Sequence, residues 1–511
     1  MPEFSPMTFL EVWDKTVEKH SNEIFLIFEN SDGDSAEWNY GDFAKEVSKT
    51  AGLLKQHGVG AGDSVHLALA NCPSFIAVWL AAIQTGAWIV PSDPMGGPED
   101  LSSHIERTSP KLGFCAKKRV EVYKQACGDL PFVEIDENST APHFFDSPEF
   151  RPTELPNFLD RAAVMFTSGT TGIPKGVEIT QANYAFAGHA MASAASLTSN
   201  DRQFVVLPLF HANAQYYSFA SAIYAGASVA LMSTFSASRF LEQAAKYEVT
   251  AASLFAAPIR MILARGAPVQ GLKLRHCWFA QNITQSQYET VTEWFGCKPR
   301  QLYGMTETIP AVLTDESENP TPLSMGLVTD GCLVDVQRAD GASVGVDEVG
   351  EIVVGGEKGI TIFNGYLDAP EITADSFREG WFLTGDRAKR DDGGKFFFDG
   401  RRSDVLKVSG ENVSIVEVES TLSEHPGILE AGVVCKHDEI RDEVPVAFVV
   451  ADPSNEKPSI EDLFEWCESR LTKAKRPNEI TFLDELPRTS VGKIRKYLLL
   501  GEGEDDDNFD D

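Results

Sequence analysis

The sequence predicts an α/β protein of mixed α+β character. It comprises a large N-terminal domain of layered αβ subdomains with a small β subdomain, then a small C-terminal α/β domain. Three observations carry that expectation. Helix-period and strand-like stretches alternate from residue 8 to residue 265, as in layered architectures with parallel sheet. Between Gly331 and Gly400 the texture changes to short β-rich runs separated by glycine and acidic turns. After Gly400 a second alternation begins, and 511 residues leave room for about three domains.

In chain order, residues 9–20 and 40–57 have helical spacing, and 64–69 and 87–91 have strand character. The most hydrophobic stretch, 75–90, is interrupted by Gln84, Thr85 and Gly86. It is too short to span a bilayer and reads as a buried helix leading into a strand. Residues 162–166 and 176–180 read as strands, with Thr180 as N-cap of a helix over 181–196. Strands at 203–207, 228–232 and 251–255 then alternate with helices at 214–225, 237–247 and 258–265. In the β-rich part, strands are expected at 351–354, 381–384 and 395–398, with the DDGG of 391–394 as a hairpin turn. Beyond a boundary at 401–404 come helix 415–424, strands 431–434 and 444–450, and helix 460–470. Domains are therefore expected at 1–402 and 403–500, with 501–511 a disordered acidic tail.

Composition narrows the function classes. The formal charge is −32, from 76 acidic and 44 basic residues. Such a surface is a poor partner for nucleic acid or anionic membrane. Eight cysteines are scattered without a CxxC pair, fitting reduced thiols in a cytoplasmic protein. No basic-then-apolar start marks a signal peptide, and no metal-ligand spacing or histidine cluster is present.

Residues 167–176, TSGTTGIPKG, hold three glycines, four hydroxyl side chains and a lysine between two strands. Glycines let backbone wrap a ligand, hydroxyls and amides donate to phosphate oxygens, and lysine answers their charge. The stretch reads as a phosphate cradle. Pro174 breaks Walker spacing and no helix follows at once, so it is not a P-loop. Four further stretches are individually weak. YGMTET (303–308) offers an aromatic face for a base and a carboxylate, Glu307, for a hard cation. WFLTGD (381–386) ends a strand on an aspartate able to accept ribose hydroxyls. GRRSDVLKVSGEN (400–412) runs from two arginines to a glycine turn. PRTSVGK (487–493) presents a lysine after a glycine, within a segment, 473–496, of seven basic and three acidic residues. In so acidic a chain, that local reversal points to an anion.

These five stretches stand in the order and spacing of adenylate-forming enzymes, and over residues 8–500 the chain resembles that superfamily of acyl-CoA synthetases, peptide-synthetase adenylation domains and beetle luciferases. The resemblance implies an ATP-dependent acyl-CoA ligase with Mg²⁺ and coenzyme A. A small or medium carboxylic acid is activated as acyl-adenylate with release of pyrophosphate, then passed to CoA with release of AMP. It also implies roles. Thr167, Ser168, Gly169, Thr170, Thr171 and Lys175 hold the β/γ-phosphates. Tyr303 flanks the adenine, with Gly304 also in the nucleotide site, Thr306 flanks the α-phosphate, and Glu307 ligates Mg²⁺. Asp386 and Arg401 take the ribose hydroxyls. Lys493 opposes the charge that builds when two anions meet, and Ser409 and Gly410 face pantetheine after the mobile C-terminal domain swings. His211, in PLFH, lies beside the acyl carboxylate. Two departures stand out: the hinge position carries Ser403 where Asp or Lys is usual, and FAQNI (279–283) replaces a Gly-Ala-Pro turn that packs on adenine.

The acyl pocket is expected between helix 214–225, the strand end at 278–283 and the loop 304–310. Its candidate lining is Asn213, Gln215, Tyr216, Tyr217, Trp278 and Phe279, no smooth aliphatic tunnel. Within the superfamily the chain looks most similar to carnitine/crotonobetaine-CoA ligase-like synthetases, so a betaine-type acid is one expectation. Aromatic faces hold such a cation by cation–π contact worth about 1–2 kcal/mol. Two alternatives are a nucleotide-binding pseudoenzyme or regulator, and a stand-alone adenylation enzyme with another thiol acceptor. Retention of Glu307 and Lys493 speaks against the first, and no carrier motif follows Lys493. The oligomeric state is left open, a homodimer included.

Overall fold

The computed structural model describes residues 4–167, 174–401, 405–408, 411–438, 442–453, 455–488 and 494–500. Ser168, Gly169, Thr170, Thr171, Ser403, Ser409, Gly410, Lys493 and the 501–511 tail lie outside the described residues.

Among the described residues the strands form three sheets. The largest has fourteen strands and changes character along its length. Its first part is parallel, in the order Ile24–Glu29, Ser228–Met232, Arg202–Val205, Ala251–Phe255, His276–Ala280, Arg300–Tyr303. Leu313–Thr314 and Ser324–Val328 then carry the ladder antiparallel into Phe396–Arg401, Trp381–Arg390, Gly350–Gly355 and Leu333–Gln337. The second sheet places Phe132–Ile135, Leu112–Ala116, Ser64–Ala68, Trp88–Pro91 and Arg161–Thr167 in parallel. Lys175–Thr180 and Gly365–Tyr366 extend it antiparallel.

One apolar cluster joins the two sheets through the helices between them. Pro73–Thr85 is the central one: Phe75 through Ile83 are without exposure, so a helix apolar all round is the expected form. It stops at Gly86, whose φ of +70° a side chain would oppose. Thr180 caps Gln181–Ala194 by accepting from the Asn183 amide, and Thr8 and Glu11 form a reciprocal capping box on Phe9–His20.

The third sheet, of five strands, is built from residues 405–482 around its own core, with helices Ile415–Ser423 and Ile460–Glu468. It touches the large part near Arg260, whose guanidinium is 4.0 Å from Glu430. Arg488 also pairs with Glu430.

Two expectations need correction. The 214–225 helix is wound as a π-helix over Asn213–Ala220 and becomes α-helical only at Ser221–Ala225. Such wider turns cluster at functional sites. WFLTGD does not end a strand: Trp381–Arg390 runs through it, with a register shift beside Asp386 and Gly385 at φ +72°. The left-handed glycine lets the strand bulge and re-aim the aspartate without breaking the ladder.

Candidate active site

Parallel α/β sheets offer ligands a crevice beyond the carboxyl ends of their strands. Tyr303 ends one strand of the large sheet, Ala280 ends its neighbour, and Thr167 ends a strand of the second sheet. Of the motif residues, Tyr303, Glu307, Lys175, Asp386 and Arg401 are brought together there.

Tyr303 donates its hydroxyl to Asp386 Oδ2 at 2.7 Å, and Arg401 Nε donates to Asp386 Oδ1 at 2.9 Å. Asp386 and Arg401 face each other in the strand ladder, so the bulge and the hairpin at 391–394 set their pairing. Asp386 is 4% exposed and Tyr303 9%. An ionised carboxylate has about four lone-pair positions, two of them used here, leaving capacity for a pair of hydroxyl donors.

Glu307 is 4% exposed, and burial raises its carboxyl above the ordinary range. Four contributions oppose that rise: a backbone hydrogen bond at Glu307 itself, the Tyr366 hydroxyl, donating to Oε1 at 3.0 Å, and the charges of Lys175 and Arg401. Lys175 itself lies 5.1 Å above the Tyr366 ring. The glycine-rich loop, YGMTET and the arginine after Gly400 thus meet at one carboxylate. Tyr366 was missed in the sequence; only a packed structure shows it bridging Lys175 and Glu307. The Phe363 amide donates to the Glu307 carbonyl at 3.0 Å and fixes the turn. Gly304 is required sterically, since a Cβ there would lie 2.7 Å from the Tyr217 hydroxyl and 2.8 Å from Ala311 Cα.

A lone buried carboxylate suits magnesium. This ion takes one or two protein carboxylates and completes its octahedron with water and substrate phosphate. Among the described residues no group of three or more His, Cys, Asp or Glu is arranged to hold a metal alone.

At FAQNI, Gln281 adopts φ +72° without glycine. The Gln301 side-chain amide donates to the Gln281 carbonyl at 3.1 Å, Asn282 Oδ1 at 2.9 Å and the Pro322 carbonyl at 3.2 Å. Arg260 donates to the Asn282 carbonyl at 2.8 Å. Side chains from beneath hold the turn that glycines would otherwise permit.

The pocket lining divides. Trp278 belongs to the same buried apolar cluster as Tyr216, Tyr217 and Tyr303. Phe279 does not line the pocket: successive strand residues point to opposite faces, and it packs with Cys277 beneath helix Gln285–Phe295. Gln215 is committed to the Leu209 carbonyl and the Tyr184 hydroxyl. Asn213 Nδ2 and Oδ1, Trp278 Nε1 and His211 Nε2 are buried without a hydrogen-bond partner among the described residues. Burial lowers His211 to about 4, leaving it neutral at physiological pH.

Thr306 is half-buried on the loop between Tyr303 and Glu307. Arg488 and Ile494, which flank the segment carrying Lys493, pair with each other. Arg488 lies near Arg260, the residue holding Asn282.

Two family models match the chain in order: AMP-binding enzyme over residues 13–367, and AMP-binding enzyme C-terminal domain over residues 417–493. The crotonobetaine/carnitine--CoA ligase of Citrobacter koseri is 32% identical over 509 residues, covering 96% of this chain and 98% of its own. An anthranilate CoA ligase in complex with anthranoyl-AMP superposes with a TM-score of 0.85 at 23% identity, over 98% of this chain and 97% of that one. The O-succinylbenzoate coenzyme A synthetase of Bacillus subtilis, solved with ATP and magnesium ion, gives 0.82 at 26%, over 96% and 99%. With both models matched in order and a relative 32% identical over 96% of the chain, the chain belongs to the AMP-binding enzyme family.

Proposed function

We propose the following reaction and assignment of roles. The enzyme is an AMP-forming acyl-CoA ligase. In the first half-reaction a substrate carboxylate oxygen attacks the α-phosphorus of ATP. The bond to the bridging oxygen breaks and pyrophosphate leaves. In the second, the thiol sulfur of CoA attacks the acyl carbon, the bond to the adenylate oxygen breaks, and AMP leaves.

Tyr303 and the 280–282 turn seat the adenine, and Asp386 with Arg401 takes the ribose. Thr167–Thr171 and Lys175 receive the β/γ-phosphates, and Thr306 the α-phosphate. Magnesium, held by Glu307, supplies neutralising charge at the phosphates. Neutral His211 orients the acid by one hydrogen bond. Lys493 stabilises charge at the reacting phosphorus, and Ser409 and Gly410 admit pantetheine. The observation that carries this reading is the convergence of Tyr303, Asp386, Arg401, Glu307 and Lys175 at the strand ends. A mobile domain beginning at residue 403 is supported by the separate core of the third sheet. Cytoplasmic operation is supported by eight cysteines that are all free thiols. Among the described residues no helix is long and apolar enough to cross a membrane.

For the acid, a compact betaine-type molecule is the specific reading. It is supported by the aromatic side chains Trp278, Tyr216 and Tyr217 in one buried cluster and by the substrates in the relatives' names. A screen of pyrophosphate release over a panel of carboxylic acids, with and without CoA, tests the assignment. Acid-dependent release that yields thioester only with CoA is expected. Nucleotide binding without release across the panel would instead favour a pseudoenzyme.

A further inference from the structure

A chain of buried polar side chains crosses the second sheet and ends at the stems of the glycine-rich loop. Tyr123 Oη lies 2.8 Å from His66 Nδ1, His66 Nε2 2.9 Å from Ser92 Oγ, and Ser92 Oγ 2.7 Å from His104 Nδ1. His66, Ser92 and Tyr123 are fully buried. Burial holds His66 at about 3 and His104 at about 4, so both rings are neutral. They link through single hydrogen bonds without bringing charge into the core.

The chain fixes His104 on helix Pro98–Thr108, where its ring stacks on Phe166 with centroids 4.0 Å apart and planes 5° apart. One turn later, the Arg107 guanidinium lies 4.7 Å from the centroid of the same ring, and its Nη1 donates to the Pro174 carbonyl at 2.5 Å. Phe166 pairs with Gly176, and Thr167 with Lys175. The helix therefore grips the outgoing stem by a ring and the returning stem by a carbonyl, at the base of residues 168–173. A guanidinium can lay its face over a ring while donating in its own plane, several donors being held in one rigid fork.

We propose that His104 and Arg107 are positioning residues for triphosphate binding, setting the spacing and direction of the stems that carry Thr167 and Lys175. The proposal rests on the reading of residues 167–175 as the β/γ-phosphate cradle. Neither residue is placed against the nucleotide. Their effect passes through Phe166 and Pro174 and falls only on ligands that carry β- and γ-phosphates. AMP occupies the Tyr303–Asp386–Arg401 end and gains nothing from them.

Isothermal titration of the full-length enzyme with Mg·ATP and with AMP separates the two ends. Arg107→Ala is expected to raise the Kd for Mg·ATP about tenfold, the scale of one lost hydrogen bond with its stacking, and to leave AMP within about twofold. Arg107→Lys, keeping charge and one donor, is expected to lie between parent and Ala. Phe166→Leu removes the shared ring and is expected to give the same split without touching Arg107. Equal loss for both nucleotides, or no loss for either, in folded variants would overturn the proposal. If Lys175→Ala weakened AMP as much as Mg·ATP, the cradle reading itself would fall.

Discussion

The Tyr366 hydroxyl and the Glu307 carboxylate share a hydrogen bond of 3.0 Å, across 59 residues of chain, beneath the Lys175 ammonium. The donor offsets part of what burial does to the carboxyl, whose pKa is raised.

A protonated Glu307 holds no cation, so adenylation is expected to lose activity on the acid side at a pH above the ordinary glutamate range. Tyr366→Phe removes a donor to the ionised form and raises the pKa further, moving that acid limb to higher pH. The stability linkage has the matching sign. A carboxyl raised in the folded state favours folding at low pH and loses that contribution as pH rises through its folded pKa. Glu307→Gln should therefore match or exceed the parent's melting temperature without ligand at pH 7–8. It should also lose the rise that Mg·ATP gives the parent. Differential scanning fluorimetry and pH–rate profiles read both; unchanged Mg²⁺ dependence in Glu307→Gln would remove its metal role.

At the other end of the nucleotide, Asp386 is expected to matter equally for ATP and AMP. Asp386→Ala removes the acceptor for Tyr303 and Arg401, and a hydrogen bond involving a charged group is worth about 1.5–3 kcal/mol. Affinity for both nucleotides should fall by about 10–100-fold in a titration. Tyr303→Phe, which leaves the carboxylate and Arg401 in place, should lose less than Asp386→Ala.

Trp278 and Phe279 are adjacent but face opposite sides of the sheet. If the pocket holds a trimethylammonium group, betaine-type acids should be favoured over neutral isosteres by about 5–30-fold, the scale of a desolvated cation–π contact. Trp278→Leu should erase that preference. Phe279→Leu should lower stability and leave the preference intact. A best substrate among medium-chain fatty or aryl acids would end the betaine reading.

On the proposed assignment, Lys493 and Gly410 serve different half-reactions. Lys493→Ala should slow adenylate formation by about 10²–10³-fold, the scale for one pre-organised group. The same variant should convert synthetic acyl-adenylate and CoA to thioester near the parent rate. Gly410→Leu should do the reverse. Equal loss of both half-reactions in both folded variants would rule out an alternating C-terminal domain.

The N-terminal alternation and the β-rich stretch after Gly331 were legible because their signals are local. Residues 9–20 carry helical periodicity between Thr8 and the chain turn, and 391–394 is a hairpin in four letters. Ile24–Glu29 is a continuous apolar run inside the large sheet, and it escaped notice because a strand covered on both faces has no alternation to read. The motif residues were identified, but their meeting was not: nothing local says that Tyr366 spans Lys175 and Glu307, or that Gln301 holds Gln281 in a left-handed turn. Gly-Asp resembles a turn, so the sequence alone predicts an end to the Asp386 strand; pairing on both sides carries it through as a bulge.

Tyr303, Asp386 and Arg401 stand on strands of one sheet, so on the proposed assignment the nucleoside seat is the same at the start of the cycle and at its end. On that assignment the monophosphate product fits the place where the triphosphate must enter. Throughput should therefore follow the ratio of ATP to AMP in the surrounding solution, and the enzyme should slow in a cell whose adenylate pool is run down, with no second site to sense it.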